Sequence, residues 1–176
     1  MNIPNLLTLM RLCLVPLVVV MIVSKDWTSA FALFVIAGIS DGVDGFIARH
    51  FDQRTELGAY LDPIADKALL VSIYVTLAIA QVAPAWLAVL IVTRDLMIIG
   101  AIVLSRLMNN PIKIEPLKVS KATTFAQIAF AAFMLGALAF GVMNIDIQNA
   151  MMVLVALLTV GSTGAYLTLW LRHMAQ

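Results

Sequence analysis

The stretch Ser40–Lys67, SDGVDGFIARHFDQRTELGAYLDPIADK, joins two long apolar runs and carries most of the chain's acidic character. Asp41 and Asp44 are three residues apart; Asp62 and Asp66 are four apart. Those spacings put each pair on one face of a helix. The link at 50–56 is short, so the two helices are expected to be antiparallel neighbours. Their four carboxylates are then expected to converge near one end of the bundle.

Outside this stretch the 176-residue chain is dominated by apolar residues: 62% are hydrophobic and 12% charged. A soluble domain holds about 45–50% apolar and about 25% charged residues. Water is therefore not the main solvent of this fold, and the length suits a single domain over 1–176. The net charge of +1 gives no electrostatic footprint for nucleic acid. One cysteine, Cys13, excludes a disulfide framework and is expected to be a packed thiol. The first ten residues lack a basic leader before the apolar run, and no small-residue cleavage site closes it. The first run is thus expected to be a retained span, in a bacterial or already processed chain.

A membrane helix needs about 20 mostly apolar residues. Residues 122–145 and 147–171 qualify without any charge, separated by Asp146 with Asn144 and Asn149 beside it. Residues 68–93 are also uncharged but too long for one span; Gln81 and Pro84 are expected to divide them. The resulting expectation is an all-α polytopic protein with six spans near 7–23, 29–49, 57–80, 85–107, 120–143 and 147–171. Arg49 and Arg54 lie in the second connection; Lys113 and Lys118 lie in the fourth, with Arg106 and Lys121 at its edges. Arg172 is in the tail, and the remaining connections hold one basic residue, Lys25. The positive-inside rule then puts both termini in the cytoplasm. Trp27, Tyr60, Trp86 and Trp170 lie near span ends, as interfacial aromatics do. His50 and His173 read as interfacial polar residues.

A charge at the bilayer centre costs about 2.5–3.5 kcal/mol even on the milder scale. Four carboxylates also repel one another. Lys67 and Arg49 are too few to neutralise them, so hard oxygen ligands of this kind call for divalent cations. Paired ions can clamp both the attacking and the leaving oxygen of a phosphoryl displacement. Gly42, Gly45, Ala48 and Gly58 either leave room for a bulky ligand or allow close helix packing.

The same residues fit D-x2-D-G-x2-A-R-x8-G-x3-D-x3-D at every fixed position: Asp41, Asp44, Gly45, Ala48, Arg49, Gly58, Asp62 and Asp66. This pattern is similar to the signature of the CDP-alcohol phosphatidyltransferases, and the six-helix layout extends the resemblance over nearly the whole chain. The resemblance implies two Mg²⁺ or Mn²⁺ ions held by Asp41, Asp44, Asp62 and Asp66, with Asp66 as base. It implies a CDP site at Gly45, Ala48, Arg49 and Gly58 and a homodimer; the N-terminal sequence and the basic connections give the expectation of a bacterial inner membrane with the site facing the cytoplasm. The substrates would be CDP-diacylglycerol and an alcohol. Ile3–Arg11, Val92–Ile98 and Leu117–Gln127 resemble the cardiolipin synthase branch, whose acceptor is phosphatidylglycerol. The Ile3–Asn5 opening and the Asp62–Lys67 segment are shared with phosphatidylglycerophosphate synthases, which use glycerol 3-phosphate.

Several basic and polar residues remain. Arg94, deep in the fourth span, reads as an acceptor-phosphate ligand together with Lys118 and Lys121, or as an ion pair with Asp95 or a metal-site aspartate. The two lysines could equally attract anionic headgroups. Arg11 snorkels to the interface in the plainer reading. Asn5 and Thr8 bond the cytidine or cap the first helix. A cation transporter would instead spread its acids through the bilayer, and a membrane protein without catalysis would not need all eight signature positions.

Overall fold

The computed structural model describes the backbone of residues 3–50, 56–107 and 117–174; within these ranges the side chains at 3–5, 44–50, 56–63, 102–103, 106–107 and 173–174 are not described. Those residues form six helices: α1 (Ile3–Val23), α2 (Trp27–His50), α3 (Glu56–Ile79), α4 (Ala85–Leu107), α5 (Lys118–Phe140) and α6 (Ile145–Met174). The breaks fall where local chemistry ends a helix. Lys25 and Gln81 take left-handed backbone conformations after α1 and α3. Gly141 does the same after α5, its N–H reaching the Ala137 carbonyl. That is the usual helix-ending geometry.

α2 and α6 start on side-chain caps. Asp26 accepts the Ser29 N–H at 3.2 Å. Hydrogen bonds from the Ser29 hydroxyl and amide hold that carboxyl below its ordinary range. Asn144 Oδ1 accepts the N–H groups of Asp146 and Ile147 at 3.0 and 3.1 Å. Each cap satisfies amides that a helix leaves open at its first turn.

Among the described residues three helices are long and apolar enough to cross a membrane: Leu6–Val23, Lys118–Phe140 and Ile145–Arg172. Trp27–Val43 is a shorter apolar helix. The outward faces are apolar as well, with Leu17, Val89, Phe125, Leu157 and Val160 all exposed. A helix apolar on every side belongs inside a larger fold or a bilayer, and so many exposed leucines and valines mark a membrane protein. Cys13 is exposed on this surface, not packed as expected, because it lies on the outward side of α1.

α1 packs on α2 and α3; α5 packs on α2, α3 and α6; α4 packs on α3 and α6. Among the described residues α2 and α3 show no packing on each other; the link and the helix ends beside it, where the two are expected to be neighbours, lie outside the described residues. α1 and α5 each contact both of them. Side chains from all six helices meet in one core, including Ile22, Phe34, Tyr74, Ile91, Phe130 and Val155.

Lipid tails are as apolar as leucine, so close packing and polar contacts must hold such helices together. Gly136 supplies the first: a Cβ there would come 3.2 Å from the Phe31 ring. Tyr74 supplies the second, donating to the Gln127 carbonyl at 2.9 Å while its ring stacks on Phe130. Thr123 Oγ1 donates to the Leu158 carbonyl at 3.1 Å, joining α5 to α6.

Candidate active site

Two charged clusters meet at α3, on either side of the consecutive residues Asp66 and Lys67. The first is acidic. Arg11 of α1 is buried, its side chain 1% exposed. Its Nη1 donates to Asp66 Oδ1 at 2.6 Å and lies 2.9 Å from Asp41 Oδ1. One nitrogen thus joins carboxylates of α2 and α3. Both are half-exposed, at 49% and 45%. They border a cavity of about 90 Å³ lined by Arg11, Phe34, Gly38, Asp41, Asp66 and Thr124. Several water-sized groups fit in that space.

The second cluster is basic. Lys67 Nζ lies 2.7 Å from Asp95 Oδ1 of α4, and Arg94 Nη1 contacts the same oxygen at 2.6 Å. Arg94 is 3% exposed and reaches two further helices, donating from Nη2 to Ser120 Oγ of α5 at 2.6 Å and Ser162 Oγ of α6 at 2.9 Å. Adjacent helical residues diverge by about 100° around the axis. That rotation points Asp66 at α1 and Lys67 at α4.

Residues 1–161 match the family model for CDP-alcohol phosphatidyltransferase. The chain belongs to the CDP-alcohol phosphatidyltransferase family. It is 35% identical over 155 residues to a human cardiolipin synthase (CMP-forming), an alignment covering 79% of this chain and 52% of the relative. A putative cardiolipin synthase of Mycobacterium tuberculosis is 33% identical over 141 residues, covering 77% and 66%. A rice chloroplastic CDP-diacylglycerol–glycerol-3-phosphate 3-phosphatidyltransferase 1 is 31% identical over 186 aligned residues, covering 94% and 56%. The chain spans about half the length of the human relative it matches.

The family signature lies across α2 and α3, and the described side chains test part of it. Asp41 and Asp66 come together, as expected, but through Arg11. The side chains of Asn5, Asp44, Gly45, Ala48, Arg49, Gly58 and Asp62 lie outside the described residues. Among the described residues no group of three His, Cys, Asp or Glu side chains comes together to hold a metal ion; Asp41 and Asp66 supply two of the hard oxygens that a divalent cation would take. Two hard carboxylate oxygens from different helices already meet one cationic nitrogen, beside a cavity with room for more ligands. Among the described residues a Cβ at Gly42 would meet nothing within 4 Å, so open space borders that glycine there.

Other expectations change. Arg11 does not snorkel: it is the residue sequence reading missed. Its visible signal was a lone charge inside an apolar span. Lys67 pairs with Asp95 and not with the signature aspartates. Thr8 is buried well inside α1, too far along to cap it. Arg94 does pair with Asp95, the plainer of its two readings. Lys118 and Lys121 are exposed on the first turn of α5, beside the Ser120 that binds Arg94.

Proposed function

We propose that this chain transfers a phosphatidyl group from CDP-diacylglycerol to the hydroxyl of phosphatidylglycerol, giving cardiolipin and CMP. The observation that carries the reading is the junction of Asp41 and Asp66 on Arg11 beside a half-open cavity, in a chain whose relatives include named cardiolipin synthases. Asp66 accepts the proton of the acceptor hydroxyl, a task for a carboxylate within hydrogen-bond reach. The freed oxygen bonds to the β-phosphorus, and the bond from that phosphorus to the bridging oxygen breaks, so CMP leaves with that oxygen. Asp41, Asp44, Asp62 and Asp66 hold two Mg²⁺ or Mn²⁺ ions in this reading; when bound, they neutralise charge developing on the diphosphate. Gly45, Ala48, Arg49 and Gly58, with Asn5, contact the CDP group. Arg94, Lys118 and Lys121 attract the acceptor phosphate.

The same reading gives all six helices as spans of a bacterial inner membrane, with both termini and the site at the cytoplasmic side. The basic residues of alternate connections support that orientation. A second reading, transfer to glycerol 3-phosphate, is favoured by the name of the rice relative. Purified protein given CDP-diacylglycerol, Mg²⁺ and either acceptor separates them by chromatography of the lipid product. Cardiolipin is expected with phosphatidylglycerol, and EDTA is expected to stop CMP release. A phosphatidylglycerophosphate product alone would transfer the conclusion to the second reading.

A further inference from the structure

The cavity beside Asp66 carries one polar group to which the transfer chemistry gives no task. Its charged lining is Arg11, Asp41 and Asp66; Thr124 of α5 lines it too, and apolar side chains such as Phe34, Leu69, Leu70 and Ile128 make up the rest. Thr124 is half-buried.

Its hydroxyl is held more loosely than those of its neighbours. Thr123, Thr159 and Thr163 each donate to the carbonyl four residues earlier at 2.7–2.8 Å, a common arrangement within a helix. Thr124 Oγ1 donates to the Ser120 carbonyl at 3.2 Å. A hydroxyl has one proton to give and two lone pairs to receive with. With its proton turned to Ser120, Thr124 Oγ1 accepts from no donor among the described residues. The apolar walls beside it supply none, so the donor it suits is one that enters the cavity.

We propose that Thr124 accepts a hydrogen bond from the second hydroxyl of a glycerol acceptor, and that it thereby selects a vicinal diol. The free end of such an acceptor carries a primary hydroxyl and a secondary one on the next carbon. The primary hydroxyl gives its proton to Asp66 and its oxygen bonds to phosphorus. The secondary hydroxyl keeps its proton, and Thr124 Oγ1 receives it in the same cavity. The phosphatidylglycerol headgroup and glycerol 3-phosphate share this diol. Ser120, which holds Arg94, lies four residues before Thr124, about 6 Å along α5. A glycerol reaches about that far from its phosphate to its free end. An ammonium on the same carbon, as in serine, would lose far more hydration against the apolar walls than a hydroxyl does. The assignment rests on the phosphatidyl-transfer reading for its placement of the acceptor hydroxyl at Asp66.

The test pairs each acceptor with an analogue that lacks only the secondary hydroxyl. The purified full chain receives CDP-diacylglycerol, Mg²⁺ and either phosphatidylglycerol or phosphatidyl-propanediol; glycerol 3-phosphate and 3-hydroxypropyl phosphate form the second pair. In whichever pair reacts, kcat/KM should be about tenfold higher for the diol, the worth of one hydrogen bond. Thr124→Val should erase the preference by lowering the diol, and Thr124→Ser should restore it. Equal rates for diol and analogue, a preference kept in Thr124→Val, a loss in Thr124→Val shared by both, or transfer to serine at a comparable rate would each overturn the assignment. Binding is read without CDP-diacylglycerol, by native mass spectrometry of the chain in phosphatidylcholine nanodiscs holding phosphatidylglycerol and its analogue in equal amounts. The chain should retain phosphatidylglycerol in preference, and Thr124→Val should retain the two alike. A chain that transfers without the preference refutes the Thr124 assignment alone. A chain that releases no CMP with any acceptor, yet retains the diol through Thr124, refutes the transferase reading and leaves the diol site standing; one that does neither refutes both.

Discussion

Asp66 and Lys67 are neighbours on α3, yet they belong to clusters of opposite bias. On the α1 side, among the described residues, one arginine serves two carboxylates, both half-exposed beside a cavity. On the α4 side two bases serve one carboxylate, and Arg94 is buried and tied to serines of two more helices. Among the described residues the acidic cluster sets two carboxylates against one base and opens on a cavity, which suits cations. The basic cluster sets two bases against one carboxylate among the described residues, which suits an anion. One helix can separate donor chemistry from acceptor binding because consecutive residues leave it in different directions.

The largest test of this contrast removes the proposed base. Asp66→Asn keeps the shape and the hydrogen-bonding capacity toward Arg11 but loses the proton acceptor. CMP release is expected to fall by roughly 10²–10⁴-fold, the usual contribution of a general base, with helical content unchanged by circular dichroism. Near-normal turnover would remove Asp66 from the chemistry.

A smaller effect is expected at the cation that joins the two carboxylates. Arg11→Met should lower turnover by about ten- to a hundredfold, matching loss of charged hydrogen bonds worth about 1.5–3 kcal/mol. Mn²⁺ affinity, read by electron paramagnetic resonance, should hold or rise, because a competing positive charge has gone. Arg11→Lys should recover part of the turnover. Loss of Mn²⁺ binding in Arg11→Met would mean that Arg11 assembles the carboxylates and does not merely balance them.

The basic cluster should respond differently. Arg94→Gln can still bond the serines but leaves Lys67 and Asp95 balanced. The KM for phosphatidylglycerol is expected to rise by about tenfold with kcat little changed, the pattern of lost ground-state binding. A fall in kcat at constant KM would break the contrast by putting Arg94 among the reacting groups.

Tyr74→Phe, which touches neither cluster, is the smallest change. It removes the bond to the Gln127 carbonyl and should cost about 1 kcal/mol of stability, read as a lower unfolding midpoint with KM values unmoved.

The helices were legible because their causes are local. Apolar length set them, and Lys25, Gln81 and Asn144 end or start them through backbone conformation or a side-chain cap. The carboxylates of Asp41 and Asp66 were legible because helical spacing and the family signature both single them out. Gly136 was not, since its close approach to Phe31 joins α5 to α2 across more than a hundred residues. Arg11 was visible only as a charge in a span; its partners lie 30 and 55 residues away.

Sequence by itself therefore determined the six helices, the membrane character and the acidic signature. Only the tertiary structure decided that Arg11 of α1 joins Asp41 of α2 to Asp66 of α3, and that Asp66 and Lys67 serve different clusters. The physical reason is that helix periodicity is set within a few residues, whereas long charged side chains find partners only after the helices have chosen their neighbours.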